Sequence, residues 1–213
     1  MFSFLQEGGG FMYIIFGVSI VGFAVFCERA GFLYFKLQLN MDKVFKKISI
    51  HLENSNYRGA IDECTKIEKH PLGRILKAGL LKSDKRDKEI EMTMEENIMK
   101  EASLVKTRIN YLGLIANIST LLGLLGTIMG LIQAFQGIGA ASAAMKQEIL
   151  AQGISVAMFT TAFGLIVAIP CLAGFYVLNN RSDYLIEQFE EKALKLFNIL
   201  TSLKREREAQ CQA

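Results

Sequence analysis

Three stretches of this chain carry no charged side chain: residues 8–27, 109–135 and 149–180. Each is long enough to supply the ~20 apolar residues that a helix needs to cross a hydrocarbon core, so the pattern predicts three membrane spans. Outside them the pattern becomes amphipathic. From about residue 87, the apolar positions Ile90, Met94, Ile98, Ala102, Val105 and Ile109 recur every three or four residues, the period of one helix face. No Gly or Pro separates this stripe from the second charge-free segment, which predicts one continuous helix over about 87–136. Beyond Arg181, Leu185, Phe189, Ala193, Leu196, Leu200 and Leu203 extend the third segment in the same way. Polar breaks at Asn54-Ser55-Asn56 and at His70-Pro71 divide the helical segment 36–83.

The expected fold is an all-α integral membrane protein with three transmembrane helices, two of them extended into a cytoplasmic helical bundle. Its parts are a periplasmic interfacial segment (1–10), a first span (11–28), a cytoplasmic helical domain (29–108) and a second span (109–135). A periplasmic loop (136–150), a third span (151–178) and a cytoplasmic C-terminal helix (179–213) complete it. Pro170 falls inside the third span and is expected to kink it, because its ring removes a backbone donor and crowds the preceding turn.

Charge sets the orientation. Most of the 24 Lys and Arg residues lie in 29–108, while the loop after the second span holds Lys146. Arg29, Lys106, Arg108 and Arg181 flank the three spans, and basic residues close to membrane ends belong on the cytoplasmic side. This places the N-terminus outside and the C-terminus on the cytoplasmic side of a multi-pass membrane protein. The start, Met1 to Glu7, has no basic region of a signal peptide, so the first span is read as retained.

Composition narrows the chemistry. A net charge of +3 with acids and bases interleaved argues for solvated helix faces rather than nucleic-acid binding. Cys27, Cys64, Cys171 and Cys211 form no CxxC pair, so neither a disulfide framework nor a metal site is indicated. His51 and His70 lack metal-spaced neighbours. With no nucleophile–base pair or ligand set in view, the chain does not read as an enzyme, and no cofactor is expected.

The candidate chemistry lies at membrane depth. On the second span, Ser119, Gly123, Gly126, Thr127 and Gly130 share one face; on the third, Gly153, Ala157, Thr161, Gly164 and Ala168 do so. Small residues let helix backbones approach closely in lipid, so Gly123, Gly126, Gly130, Gly153, Ala157 and Gly164 are assigned to helix packing. Thr127 follows Arg108 by 19 residues and Thr161 precedes Arg181 by 20, roughly 30 Å of helix in each case. Both hydroxyls are therefore expected at one level. No Asp, Glu, Lys, Arg or His lies within either span. An ion relay needs groups that bind and release the ion, so any carboxylate in the path must come from another subunit. Glu28 and Arg29 at the membrane edge are read first as a local ion pair or interfacial anchor, and second as residues of the cytoplasmic mouth of a channel.

These residues resemble the TolQ–ExbB family of ion-driven membrane motors, relatives of the flagellar stator protein MotA. The resemblance covers most of the chain. Gly8-Gly9 and Glu28-Arg29 are similar to the family's opening, and His70-Pro71-Leu72-Gly73-Arg74 through Ala78-Gly79-Leu80 to its cytoplasmic element. Leu121-Leu122-Gly123-Leu124-Leu125-Gly126-Thr127 is similar to the second-span motif. Gly153-Ile154 through Thr161-Ala162-Phe163-Gly164-Leu165 to Ala168-Ile169-Pro170 is similar to the third-span motif.

The resemblance implies a homopentamer around a dimer of single-span partners of the TolR or ExbD type, whose membrane aspartate carries the ion. It implies channel-lining roles for Thr127 and Thr161. Ion flow would turn the partner dimer and deliver work to the cell envelope. Two positions depart from the family pattern: Val156 stands where many members have a glutamate, and Thr120 where a proline often precedes the glycine motif. The first shifts the ion chemistry to the partner. The second adds a hydroxyl, and with Thr160 makes a path richer in hydroxyls, which suits a hard cation. The proton is the expected ion, with sodium as the alternative. A passive helical scaffold for an envelope assembly shares the packing features and is the alternative reading of function.

Overall fold

A computed structural model describes residues 10–140 and 143–212. The expected interfacial segment 1–10 falls, but for Gly10, outside the described residues. Among the described residues every regular element is helical: α1 (Gly10–Gly31), a π-helical turn (Phe32–Lys36), α2 (Met41–Glu53), α3 (Tyr57–Lys66), α4 (Pro71–Leu80), α5 (Asp87–Lys106), α6 (Ile109–Ala140) and α7 (Ala143–Gln212). Three helical stretches are long and apolar enough to cross a membrane. The chain divides into two compact units, one from 1–31 and 108–179 and the other from 32–107 and 180–213.

The first unit is apolar outside as well as inside. Phe23, Leu121, Met158 and Ile166 are all largely exposed, an arrangement that would be costly in water at about 25 cal/mol per Å² and is ordinary against lipid. Its packing is made by small residues. A Cβ on Gly22 of α1 would lie 3.0 Å from the Cys171 sulfur and 3.1 Å from Ile115, and one on Gly174 would lie 2.8 Å from the Phe26 ring. α1 is thereby seated against both α6 and α7. At its end, Glu28 accepts from Arg108 at 2.7 Å, and Arg29 is buried beside it.

The second unit has a water-soluble pattern, with Ile48, Leu52, Leu72, Ile75, Leu76, Ile90, Phe189 and Leu196 buried. The breaks read from sequence are capped turns. The Asn40 and Asn56 side chains accept from Lys43 N and Gly59 N, and the His70 Nδ1 accepts from Leu72 N at the start of α4, with Pro71 first in the helix. Each supplies an acceptor for an otherwise orphaned N–H. Ion pairs tie α5 to α7 near both ends of α5: Lys106 to Asp183 at 2.8 Å and Lys204 to Asp87 at 3.0 Å. Between them Arg74 on α4 donates two hydrogen bonds to Glu101, at 2.6 and 2.5 Å.

The helix expected over 87–136 is instead two helices. Thr107 is extended (φ −49°, ψ 137°) and Arg108 takes a left-handed backbone at φ 64°. Thr107 Oγ1 donates to the Ser103 carbonyl at 2.7 Å, and the Arg108 side chain is held by Glu28. The break is thus stabilised by side-chain bonds rather than announced by Gly or Pro. α7, by contrast, continues as one helix through Pro170.

Candidate functional site

Glycine decides how closely α6 and α7 approach. A Cβ on Gly123 would stand 3.3 Å from the Thr160 carbonyl and the Thr161 Cα; one on Gly164 would stand 2.7 Å from the Ser119 carbonyl and 3.1 Å from the Gly123 Cα. Further along, Gly130 faces Ala157 and the Gly153 carbonyl at 3.1–3.2 Å, and Gly153 in turn faces Ala134. These residues lie along one antiparallel seam, with Gly123, Gly130, Gly153 and Gly164 each within reach of the facing helix's backbone. Such contacts leave room for hydrogen and nothing larger.

The hydroxyls sit along this seam in different ways. Thr161 donates across it to the Gly123 carbonyl at 3.1 Å. Thr160 is buried, its Oγ1 within 3.0 Å of its own helix's Val156 and Ala157 carbonyls. A Cβ on Gly126 would meet Thr160 at 2.7 Å, so Gly126 is the socket for Thr160. Thr127 is partly exposed and donates to Leu124 O at 2.6 Å. Thr120 lies exposed and donates to Ala116 O at 3.1 Å. With Gly126 against Thr160 and Gly130 against Ala157, the antiparallel register sets Thr127 opposite Phe159 and Thr160, one to two residues from Thr161.

Each threonine hydrogen is thus spent on a backbone carbonyl, a common way for a hydroxyl to be satisfied inside a helix. What Thr127, Thr161 and Thr120 still offer outward is oxygen lone pairs. Their chemistry is acceptance: a cation, a hydronium or a protonated carboxylic acid could bond to them.

Two features of the site were not singled out by sequence. Ser119, seen there as one small residue among several, has a fully buried hydroxyl with no hydrogen-bond partner among the described residues. It sits beside Gly164, and its position four residues before Gly123 was the available signal. Second, a cleft of about 370 Å³ opens beside the seam, lined by Phe11, Gly126, Gln133, Val156 and Thr160. Val156, the position lacking the family glutamate, is therefore on its wall. Pro170 is exposed and lies in a different, apolar cleft with Gly22 and Cys171. Glu28 and Arg29 are brought together with Arg108 and away from the threonines.

Comparison with known proteins agrees with the resemblance. The model of the MotA/TolQ/ExbB proton channel family matches residues 67–191. The chain is similar to the biopolymer transport protein exbB1 of Vibrio cholerae, 46% identical over 79 residues, which are 37% of this chain and 35% of that protein. It is similar to the putative biopolymer transport protein ExbB-like 3 of Synechocystis, 32% identical over 169 residues, 78% of this chain and 79% of the relative. It is also similar to the Tol-Pal system protein TolQ of Haemophilus influenzae, 31% identical over 90 residues, 42% of this chain and 39% of that one. The aligned part thus spans only about a third of the Vibrio protein but most of the cyanobacterial one. With the family match extending from before α4 into the second half of α7, over the whole glycine seam, the chain belongs to the MotA/TolQ/ExbB proton channel family.

Proposed function

We propose that this protein is the stator or channel subunit of an inner-membrane motor driven by an ion gradient. Five copies would surround a dimer of a single-span TolR- or ExbD-like partner and transmit work to the cell envelope. The observation that carries this reading is a donor–acceptor imbalance at membrane depth. The Thr161 and Thr127 hydroxyls, within about one helical turn of each other along the seam, donate to the Gly123 and Leu124 carbonyls and keep acceptor oxygen free.

An acceptor surface without an acidic or basic side chain has no group of its own to bind and release a proton, but it can receive a carboxylic acid each time that acid is neutral. The partner's membrane aspartate would bind the proton, pass the hydroxyls as a neutral donor, and release the proton beyond them. Ionised, it would meet no cation on these helices and be held where water reaches it. Proton is the ion this scheme favours. Thr120 and Thr127 oxygens would also coordinate sodium, and a sodium-dependent flux would select that ion instead.

The test is ion flux through the chain co-purified with its partner and reconstituted in liposomes. Thr161→Val and Thr127→Val are expected to abolish flux with assembly intact, while Thr161→Ser retains it because the hydroxyl is kept. Wild-type flux in both valine variants would remove these hydroxyls from the path.

A further inference from the structure

One cleft in the unit built from α2–α5 and the end of α7 has an apolar floor and an acidic rim. It lies between α5 and residues 187–197 of α7 and has a volume of about 530 Å³. Met99 and Leu194 stand in it, 71% and 61% exposed. Around them are Glu91, Glu95, Glu187 and Glu190, none with an ion-pair partner among the described residues. Glu191 on the same rim, in contrast, is held by Lys192 and Lys195. Four unneutralised carboxylates repel one another, and the apolar floor between them gains by leaving water. A basic, part-apolar helix would relieve both costs.

The chain carries such a surface itself. On α2, Lys43, Lys46 and Lys47 are exposed, without ion pairs among the described residues, and Ile50 beyond them is 47% exposed. Lys43 and Lys47 are four residues apart, as are Glu91 and Glu95, so both charge rows step by about 6 Å. The two surfaces also share a level. Lys192, its side chain 4% exposed, donates to Asp42 at 2.5 Å, which fixes the start of α2 beside the 187–197 stretch. Rotation about an axis running along α7 keeps every residue at its level, so a lysine face and a groove at one level can face each other between neighbouring copies.

We propose that the acid-rimmed groove between α5 and α7 takes the Lys43–Lys47–Ile50 face of α2 from a second copy of this chain. The contact joins two different surfaces, the heterologous kind that closes a ring. It rests on the oligomeric reading above and names the surfaces that interlock.

Two differently tagged full-length chains, one Ile50→Cys and the other Leu194→Cys, would be co-expressed, oxidised in membranes and probed for both tags. Each variant expressed alone controls for the native cysteines. A cross-linked species with both tags is expected. It should be lost when Glu91→Lys and Glu95→Lys are added to the groove chain, and regained when Lys43→Glu and Lys47→Glu are added to the other. Native mass of the same samples separates the failures. An oligomer without the mixed cross-link, or a cross-link indifferent to charge reversal, overturns this interface and leaves the ring intact. A monomer overturns both.

Discussion

At the scale of single residues, the account turns on groups with no room to change. Gly164→Ala pushes a methyl to 2.7 Å from the Ser119 backbone carbonyl, and backbone cannot move aside as a side chain can. A loss of about 1–3 kcal/mol, typical of overpacking, is expected in the thermal stability of the detergent-solubilised protein. Gly113→Ala, facing only the Phe175 ring at 3.5 Å, should be nearly neutral; equal effects would argue against the seam. His70 offers a pH test in the other unit. Burial pushes its imidazole below the usual 6.5, and the Nδ1 that caps α4 accepts a hydrogen bond only while unprotonated. The unfolded chain then takes up a proton first as pH falls, so stability should drop below about pH 6.5 and level off beneath the folded value. His70→Asn keeps a capping oxygen without a titration and should flatten that part of the stability–pH curve. Buried Cys64, its thiol pushed up to about 12 by desolvation, should stay unreactive to thiol reagents in the folded protein.

At the scale of elements, hydrophobic period was informative wherever one face decides the outcome. The stripes of α5 and α7 and the small-residue faces of α6 and α7 follow from spacing of three and four, and the three spans from the length of the charge-free stretches. The breaks at Asn54-Ser55-Asn56 and His70-Pro71 were legible in their polar residues and proline, but not that Asn56 and His70 cap the helices that follow. The break at Thr107–Arg108 was not legible, because no Gly or Pro marks it: Thr107 bonds back to Ser103, and Arg108 pairs with Glu28, 80 residues away. The left-handed backbone of Arg108 predicts unequal substitutions. Arg108→Gly, which adopts φ 64° freely, should be tolerated apart from the lost ion pair; Arg108→Val should cost about 1–3 kcal/mol more, read as a lower unfolding midpoint. Nor could sequence say which of Thr160 and Thr161 is buried. Adjacent positions lie about 100° apart on a helix, and only the partner helix shows that Thr160 enters the Gly126 socket while Thr161 spans to Gly123.

At the scale of the whole molecule, the apolar unit is incomplete by its own chemistry. It has a cleft at Thr160 and acceptor oxygens at Thr127 and Thr161, but no Asp, Glu, Lys, Arg or His in its second and third spans. The seam buries Thr160 but leaves Thr127 and Thr161 partly exposed, and in the proposed function an outside carboxylate supplies the charge those spans lack. The most direct measurement is the native mass of the protein extracted from membranes, with and without a co-expressed single-span TolR- or ExbD-like neighbour. The account predicts five copies of this chain holding two of the partner. A monomer or dimer whose mass is unchanged by the partner would contradict it, and would leave Thr127 and Thr161 as residues that only pack.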